Sequence, residues 1–276
     1  MAFSINSNIS AMRANLQSTL SNQGLNSSLN NLSSGSSVSS AAYDASGLGI
    51  ANQLSAQVSG MGQAIQNSNE SIGMIQIADG AMSGIEENMQ RIRTLTLQAS
   101  NGILNDGDRA IIQKEIDTLL KSSDDIAKQT SYNGINLLDG TGGSNGDGTF
   151  VTQSGSDAQS TQNLSINDSS IASLVGTIDI TTEAGRSTGL DSIDSALASI
   201  SDTRADLGAS QNSLMASIRN TSLTQINIAA AESNIRDIDF AAESANFSKQ
   251  NILSQIGSFS QAQANASASN VTRLFS

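Results

Sequence analysis

Residues 44–100 read DASGLGIANQLSAQVSGMGQAIQNSNESIGMIQIADGAMSGIEENMQRIRTLTLQAS. Large apolar groups fall at Ile50, Leu54, Val58, Met61, Ile65, Ile72, Ile75, Met82, Ile85, Met89, Ile92 and Leu95. Steps built from threes and fours place them on one helical face. The pattern outlasts three heptads, so it predicts a coiled-coil-like seam rather than one short helix in a globular core. The chain has no Pro at all, and an interior Pro is what most readily breaks such a helix.

Upstream, Ile5, Ile9, Met12, Leu16 and Leu20 mark a first helix that Leu25, Leu29 and Leu32 extend, and Ser33-Ser34-Gly35-Ser36-Ser37 ends it. Downstream, Asn101-Gly102 and Asn105-Asp106-Gly107 signal turns. A third helix is predicted from about Asp108 to Thr130 with Ile112, Ile116, Leu119 and Ile126 on its face, closed by Tyr132-Asn133-Gly134. From Asp139 to about Gly189 the sequence turns to Gly, Ser, Thr, Asn and Asp. Within it Phe150-Val151-Thr152, Leu164-Ser165-Ile166 and Thr177-Ile178-Asp179-Ile180 read as short strands. A last helical stretch carries Leu190, Ile193, Leu197, Ile200, Leu207, Leu214, Ile218, Ile226 and Ile235 into a C-terminal segment holding Phe240, Phe247, Ile252, Ile256, Phe259, Val271, Leu274 and Phe275.

Charge divides the chain. Residues 1–43 carry only Arg13, and 240–276 carry Glu243, Lys249 and Arg273. Each end nets one positive charge while the whole chain nets −12, so the entire negative balance lies in 44–239. Two distant, charge-poor, amphipathic ends read as partners buried together, and hence as part of something that assembles. Their seams are thin in large side chains. A buried Leu or Ile contributes about 1.5–3 kcal/mol, whereas ordering each residue costs roughly 1–2 kcal/mol of backbone entropy. The ends are therefore expected to be largely unfolded in the monomer and to fold against neighbouring copies.

The missing residue types narrow the chemistry. With no His and no Cys, the chain lacks the usual general base, thiol nucleophile and commonest metal ligands. No residue is assigned to catalysis or to a metal, no cofactor is expected, and the chain is read as a non-enzyme. The acidic balance argues against nucleic acid. No apolar run reaches the roughly 20 residues of a membrane span, and MAFSINSNIS is not a cleavable signal peptide. Glu86-Glu87 and Asp124-Asp125 read as solvated helix faces. The Ser/Thr-rich 141–188 region is a candidate for O-linked sugars.

Four stretches carry a resemblance. They are Leu32-Ser33-Ser34-Gly35 leading to Ala41, Ala42, Asp44, Ala45, Gly47, Leu48, Ile50 and Ala51; Gln90-Arg91-Ile92-Arg93 with Leu95, Gln98 and Ala99; Gln129-Thr130-Ser131-Tyr132-Asn133-Gly134 into Leu137-Leu138-Asp139-Gly140; and Ser233-Asn234-Ile235-Arg236-Asp237-Ile238-Asp239-Phe240 with Glu243, Ile252, Leu253, Gln255, Gly257, Ala264 and Asn265. In this order they resemble bacterial flagellin. The resemblance implies a mainly α fold of long helices in a coiled-coil bundle, with paired N- and C-terminal helices, a helical rod and a small β-hairpin insertion.

It further implies an inner channel-lining layer from 1–43 and 240–276, a rod from 44–138 and 189–239, and a short, variable, surface-exposed hairpin region over 139–188. Function would be polymerisation into the flagellar filament, with a hook–filament junction protein as the alternative. The inner-layer assembly residues are then Ile5, Ile9, Met12, Leu16, Leu20, Phe247, Ile252, Ile256, Phe259, Leu274 and Phe275. The implied partners are further copies, an export chaperone on the C-terminal segment, and the filament cap and junction proteins. The chain would be exported unfolded and lie outside the cell. Arg91, Leu95 and Glu115 match rod positions that the vertebrate toll-like receptor for flagellin reads. Ser36, Ser37 and Tyr43 depart from the family, and the C-terminal end lacks its usual Pro and Leu-Leu pair.

Overall fold

The computed structural model describes residues 8–274; Ile5 and Phe275 lie outside the described residues, as does the side chain of Leu274. In chain order the elements are α1 (Ile9–Ser34), α2 (Ala45–Ala99), α3 (Asp106–Gln129), β1 (Ser131–Tyr132), β2 (Ile135–Asn136), β3 (Thr149–Gln153), β4 (Thr161–Ser165), α4 (Ile171–Leu174), α5 (Glu183–Arg236) and α6 (Phe240–Leu274). They form two compact units. One holds the described residues up to Ala56 and from Asn227 onward, the other Gln57–Ile226. The first unit therefore reaches beyond 1–43 and 240–276, taking in the opening turns of α2 and the closing turns of α5.

The helix ends follow local chemistry. Asn8 caps α1 by accepting from the Ala11 N–H at 3.0 Å, and Gly35 closes it at φ 67°, donating to the Asn31 carbonyl. Asn105 and Asp108 form a reciprocal capping box at the start of α3, where Asp106 and Asp108 also face the helix dipole. The last helical stretch is not continuous. It stops at Arg236 and restarts at Phe240, where the Asp239 carboxylate accepts from the Ala241 and Ala242 N–H groups.

Within the second unit, Ile75, Met82, Ile85, Met89 and Ile92 of α2 meet Ile116 of α3 and Ile193, Ile200 and Leu207 of α5 in one apolar core. β1 and β2 pair around Asn133 (φ 51°) and Gly134 (φ 78°), the turn that this dipeptide favours. β3 and β4 pair antiparallel with Phe150 opposite Leu164. This insertion is not purely a surface feature, because Phe150, Leu164, Ile166, Ile171, Ile178 and Ile180 all join the core.

Thr177–Ile180 is not a strand. Its backbone is satisfied by a side chain instead: Gln113 Nε2 donates to the Ile178 carbonyl at 2.8 Å, and the Ile180 N–H donates to Gln113 Oε1 at 2.9 Å. One primary amide thus replaces the neighbouring strand that the alternating sequence suggested.

Candidate assembly surface

In the first unit α1 and α6 run antiparallel. Asn8 Nδ2 donates to the Ala264 carbonyl at 3.1 Å, and Ser254 Oγ donates to Asn22 Oδ1 at 2.7 Å. The shielded positions of α1 include Ala11, Ala14, Ser18, Ser21, Leu25, Ser28 and Leu32; those of α6 include Phe247, Gln250, Ser254, Gly257, Gln261, Ala264 and Ala268. Both series step by three and four, as a coiled-coil seam does. Most of these side chains are small or polar. A Cβ on Gly257 would lie 3.3 Å from that of Ser18, so the helices approach closely there.

Most of the large apolar residues named for inner-layer assembly do not line this seam. Ile9, Met12, Leu16 and Leu20 on α1 and Ile252, Ile256 and Phe259 on α6 are all more than half exposed, Phe259 reaching 74%. Phe247 alone among the described members of that set is half-buried. The physical reason lies in helix geometry. Spacing by threes and fours fits two stripes on nearly opposite faces, about half a turn apart, and the close approach selects the stripe with small side chains. Ser21 Oγ is buried in this seam without a hydrogen-bond partner, which weakens the pair further.

Ser36, Ser37 and Tyr43 occupy the connector between α1 and α2. Ser36 Oγ donates to the Arg236 carbonyl at 3.1 Å and Ser37 Oγ to the Ile235 carbonyl at 3.0 Å, so two hydroxyls satisfy carbonyls that the end of α5 leaves open. Backbone bonds from Ser37 N–H to the Arg236 carbonyl and from Ile238 N–H to the Gly35 carbonyl complete the clasp. Tyr43 OH lies 3.0 Å from Ser27 Oγ. Arg236 is held by Asn52 at 2.9 Å and Glu232 at 2.9 Å. Hydroxyl and backbone hydrogen bonds thus do the connecting between the end of α1 and the end of α5.

In the second unit Arg91 donates to Glu115 Oε1 from both Nη2 (2.8 Å) and Nε (3.2 Å), linking α2 to α3 on an exposed face. Leu95 does not share that face. It is buried at 2% in the core, so of the three residues matched to receptor-read positions it is the one not presented at the surface. Leu95 packs inward beside Ile92 at the edge of that face, while Thr94, three residues on from Arg91, is exposed. Glu86 is not simply solvated either, since it shares Arg204 with Asp79, whose carboxylate lies 2.8 Å from the guanidinium. Those bonds, Asp79 first, hold the Arg204 pKa above its ordinary value. Arg93 bonds Asp194 at 2.6 Å, and this hydrogen bond holds the Asp194 carboxyl below the usual carboxylate range. Among the described residues, no three acidic side chains cluster as metal ligands and no helix is long and apolar enough to cross a membrane.

Two family models match the chain: the bacterial flagellin N-terminal helical region over residues 5–142 and the bacterial flagellin C-terminal helical region over 190–275. The chain is 34% identical to the flagellar filament 30.7 kDa core protein of Treponema maltophilum, covering 99% of each. It is 36% identical to the flagellin of Bacillus subtilis over 98% of this chain and 99% of that one. Among solved structures, Bacillus cereus flagellin is 30% identical with a TM-score of 0.50, covering 60% of this chain and 94% of that one. A hook-associated protein structure from Vibrio parahaemolyticus, 15% identical with a TM-score of 0.56, shares the fold alone.

Proposed function

The chain belongs to the bacterial flagellin family, the structural subunits of the flagellar filament, and from that premise we propose how this particular molecule polymerises. One observation carries the reading: the paired end helices hold their large apolar residues outward, away from each other. Seven side chains more than half exposed on α1 and α6 (Ile9, Met12, Leu16, Leu20, Ile252, Ile256 and Phe259) leave an unsatisfied interface. Burying each fully exposed side chain of this kind contributes at most about 1.5–3 kcal/mol, so seven together are comparable to an association cost of roughly 4–15 kcal/mol. In this proposal the described parts of 1–43 and 240–276 form the inner, channel-lining layer, residues 44–138 and 189–239 form the rod around it, and 139–188 faces outward.

The chain is exported unfolded and adds at the distal tip under a cap, lying outside the cell. An export chaperone covers Phe247, Ile252 and Ile256 until then. The absence of Cys and Pro in the sequence suits that route, because neither disulfide pairing nor prolyl isomerisation delays refolding. On the rod, the exposed Arg91–Glu115 pair supplies polar contacts to a neighbouring subunit, and the toll-like receptor for flagellin reads it in soluble monomer; Leu95 takes no part. Arg91→Ala in soluble monomer is expected to reduce receptor signalling, and unchanged signalling would remove the site.

The test of assembly is electron microscopy of purified monomer after salt-induced precipitation and seeding with short fragments. Long uniform tubes are expected. Caps or discrete rings without elongation at any concentration would instead favour a junction protein. Amide exchange on the same samples should show weak protection over α1 and α6 in monomer and strong protection in tubes.

A further inference from the structure

The most exposed large apolar residue of the second unit is Ile103, at 87%. It does not sit on a loose loop. Arg109 Nε donates to the Ala99 carbonyl at 3.2 Å and Arg109 Nη2 to the Asn101 carbonyl at 3.3 Å, tying the turn to the end of α2. The Ile103 N–H donates to Asn101 Oδ1, and the capping box at Asn105 and Asp108 fixes the far side of the turn. Ile111, at 69% exposure, stands on the first turns of α3 just beyond. A rigid turn that presents an apolar side chain to water has its ordering cost already met, which is what a preorganised contact requires.

Farther back along α2 the same unit carries a cavity of about 310 Å³, lined by Asn67, Ser71, Met74, Tyr132, Val151 and Gln153, with Glu70 exposed at its rim. Its polar groups are largely engaged within the chain. Asn67 Nδ2 donates to the Gln153 carbonyl at 3.3 Å, and Ser71 Oγ lies 2.7 Å from Thr152 Oγ1. An apolar group can therefore enter without stranding a donor there. Val151, one of the lining residues, is 48% exposed and gives the opening an apolar edge.

Knob and cavity belong to one chain but cannot meet in it. Ser71 and the end of α2 at Ala99 are separated by 28 residues of continuous helix, about 42 Å at 1.5 Å per residue. Two complementary surfaces displaced along one axis generate an open line of copies rather than a closed dimer. We propose that Ile103 of one copy seats in the cavity beside Ser71 and Val151 of the next, making the lengthwise contact between rod units. The proposal rests on the filament reading, and it fixes which copy-to-copy contact the second unit makes.

The native chain has no Cys, so Ile103→Cys carries a single thiol at a site whose exposure leaves folding untouched. That variant, labelled with benzophenone maleimide and diluted into an excess of isotopically heavy unmodified chain, is polymerised, irradiated and digested. Adducts on heavy peptides containing 67–74, 131–136 or 149–153 are expected, at least tenfold above those in unpolymerised sample. The label's arm is far shorter than the separation along α2, so an adduct there comes from a neighbour. Adducts confined to other heavy peptides, or none in well-formed tubes, would overturn the contact while leaving the filament reading standing. Failure of the unmodified chain to form tubes would overturn both. As a second reading, Ile103→Asp should raise the concentration needed for elongation at least tenfold with an unchanged circular dichroism melt; unaltered elongation would also overturn it.

Discussion

Helices α1 and α2 carry large apolar residues at the same helical spacing, but the molecule uses them in opposite ways. In the second unit α2 turns Ile75, Met82, Ile85, Met89 and Ile92 into the core, each at most 1% exposed. In the first unit the fully buried residues of α1 are Ser21 and Ser28, while Met12, Leu16 and Leu20 stay in water at 52–68% exposure. The difference is what each helix finds beside it. α2 has α3, α5 and both hairpins of its own chain to close around its large side chains. α1 has α6, whose facing surface is mostly Ser, Gln, Gly and Ala. A single chain can complete the first kind of core; in the proposed assembly, further copies complete the second.

The sharpest way to break this comparison is to cut into the complete core. Ile92→Ala should lower the stability of the second unit by about 2–5 kcal/mol, read by equilibrium denaturation of monomer. A loss of under about 1 kcal/mol would mean that the unit is not the self-sufficient one. The matching change in the incomplete core is Phe259→Ala. It should leave the main unfolding transition of the monomer in place and weaken polymerisation by about 1.5–3 kcal/mol, a rise of roughly tenfold to a hundredfold in the concentration needed for elongation. A large shift in monomer stability instead would show that this ring is buried within its own chain.

A finer test addresses the seam. Gly257→Val should push α6 away from Ser18 and speed amide exchange over both end helices in monomer, with a cost of about 1–3 kcal/mol from overpacking. Ser37→Ala removes one hydroxyl from the clasp and should cost less, about 0.5–1.5 kcal/mol, read as faster exchange near Ile235–Ile238. The smallest effect concerns acid. Because Arg93 depresses the folded-state pKa of Asp194 below its unfolded value, their bond adds stability above the unfolded carboxyl pKa and loses it as pH falls through the folded value. Asp194→Asn should remove that small acid-dependent part from the unfolding of the second unit and leave the rest of the pH profile unchanged.

Much of the architecture could be read from residue order. The long helix of 44–100, the turn at Asn133-Gly134, the turn signal at Asn105-Asp106-Gly107 and the change of character after Asp139 all depend on neighbours in the chain, and local backbone chemistry settles them. At three places distant groups decided the outcome. Thr177–Ile180 alternates like a strand but is bonded by the amide of Gln113 on α3. Leu95 lies one turn from the exposed Arg91 yet points into the core. Glu86 looks solvated until Arg204 arrives from α5.

By itself, the sequence determined that this is a mostly helical, disulfide-free protein with charge-poor ends and an acidic middle, because composition and periodicity fix local structure and solvation. It could not determine which of two helical stripes on α1 and α6 would face inward, since both repeat by threes and fours. Only the tertiary structure decided that the small residues meet and the large ones remain outside. Close approach of two helices admits Ser and Gly where it would exclude Leu and Phe.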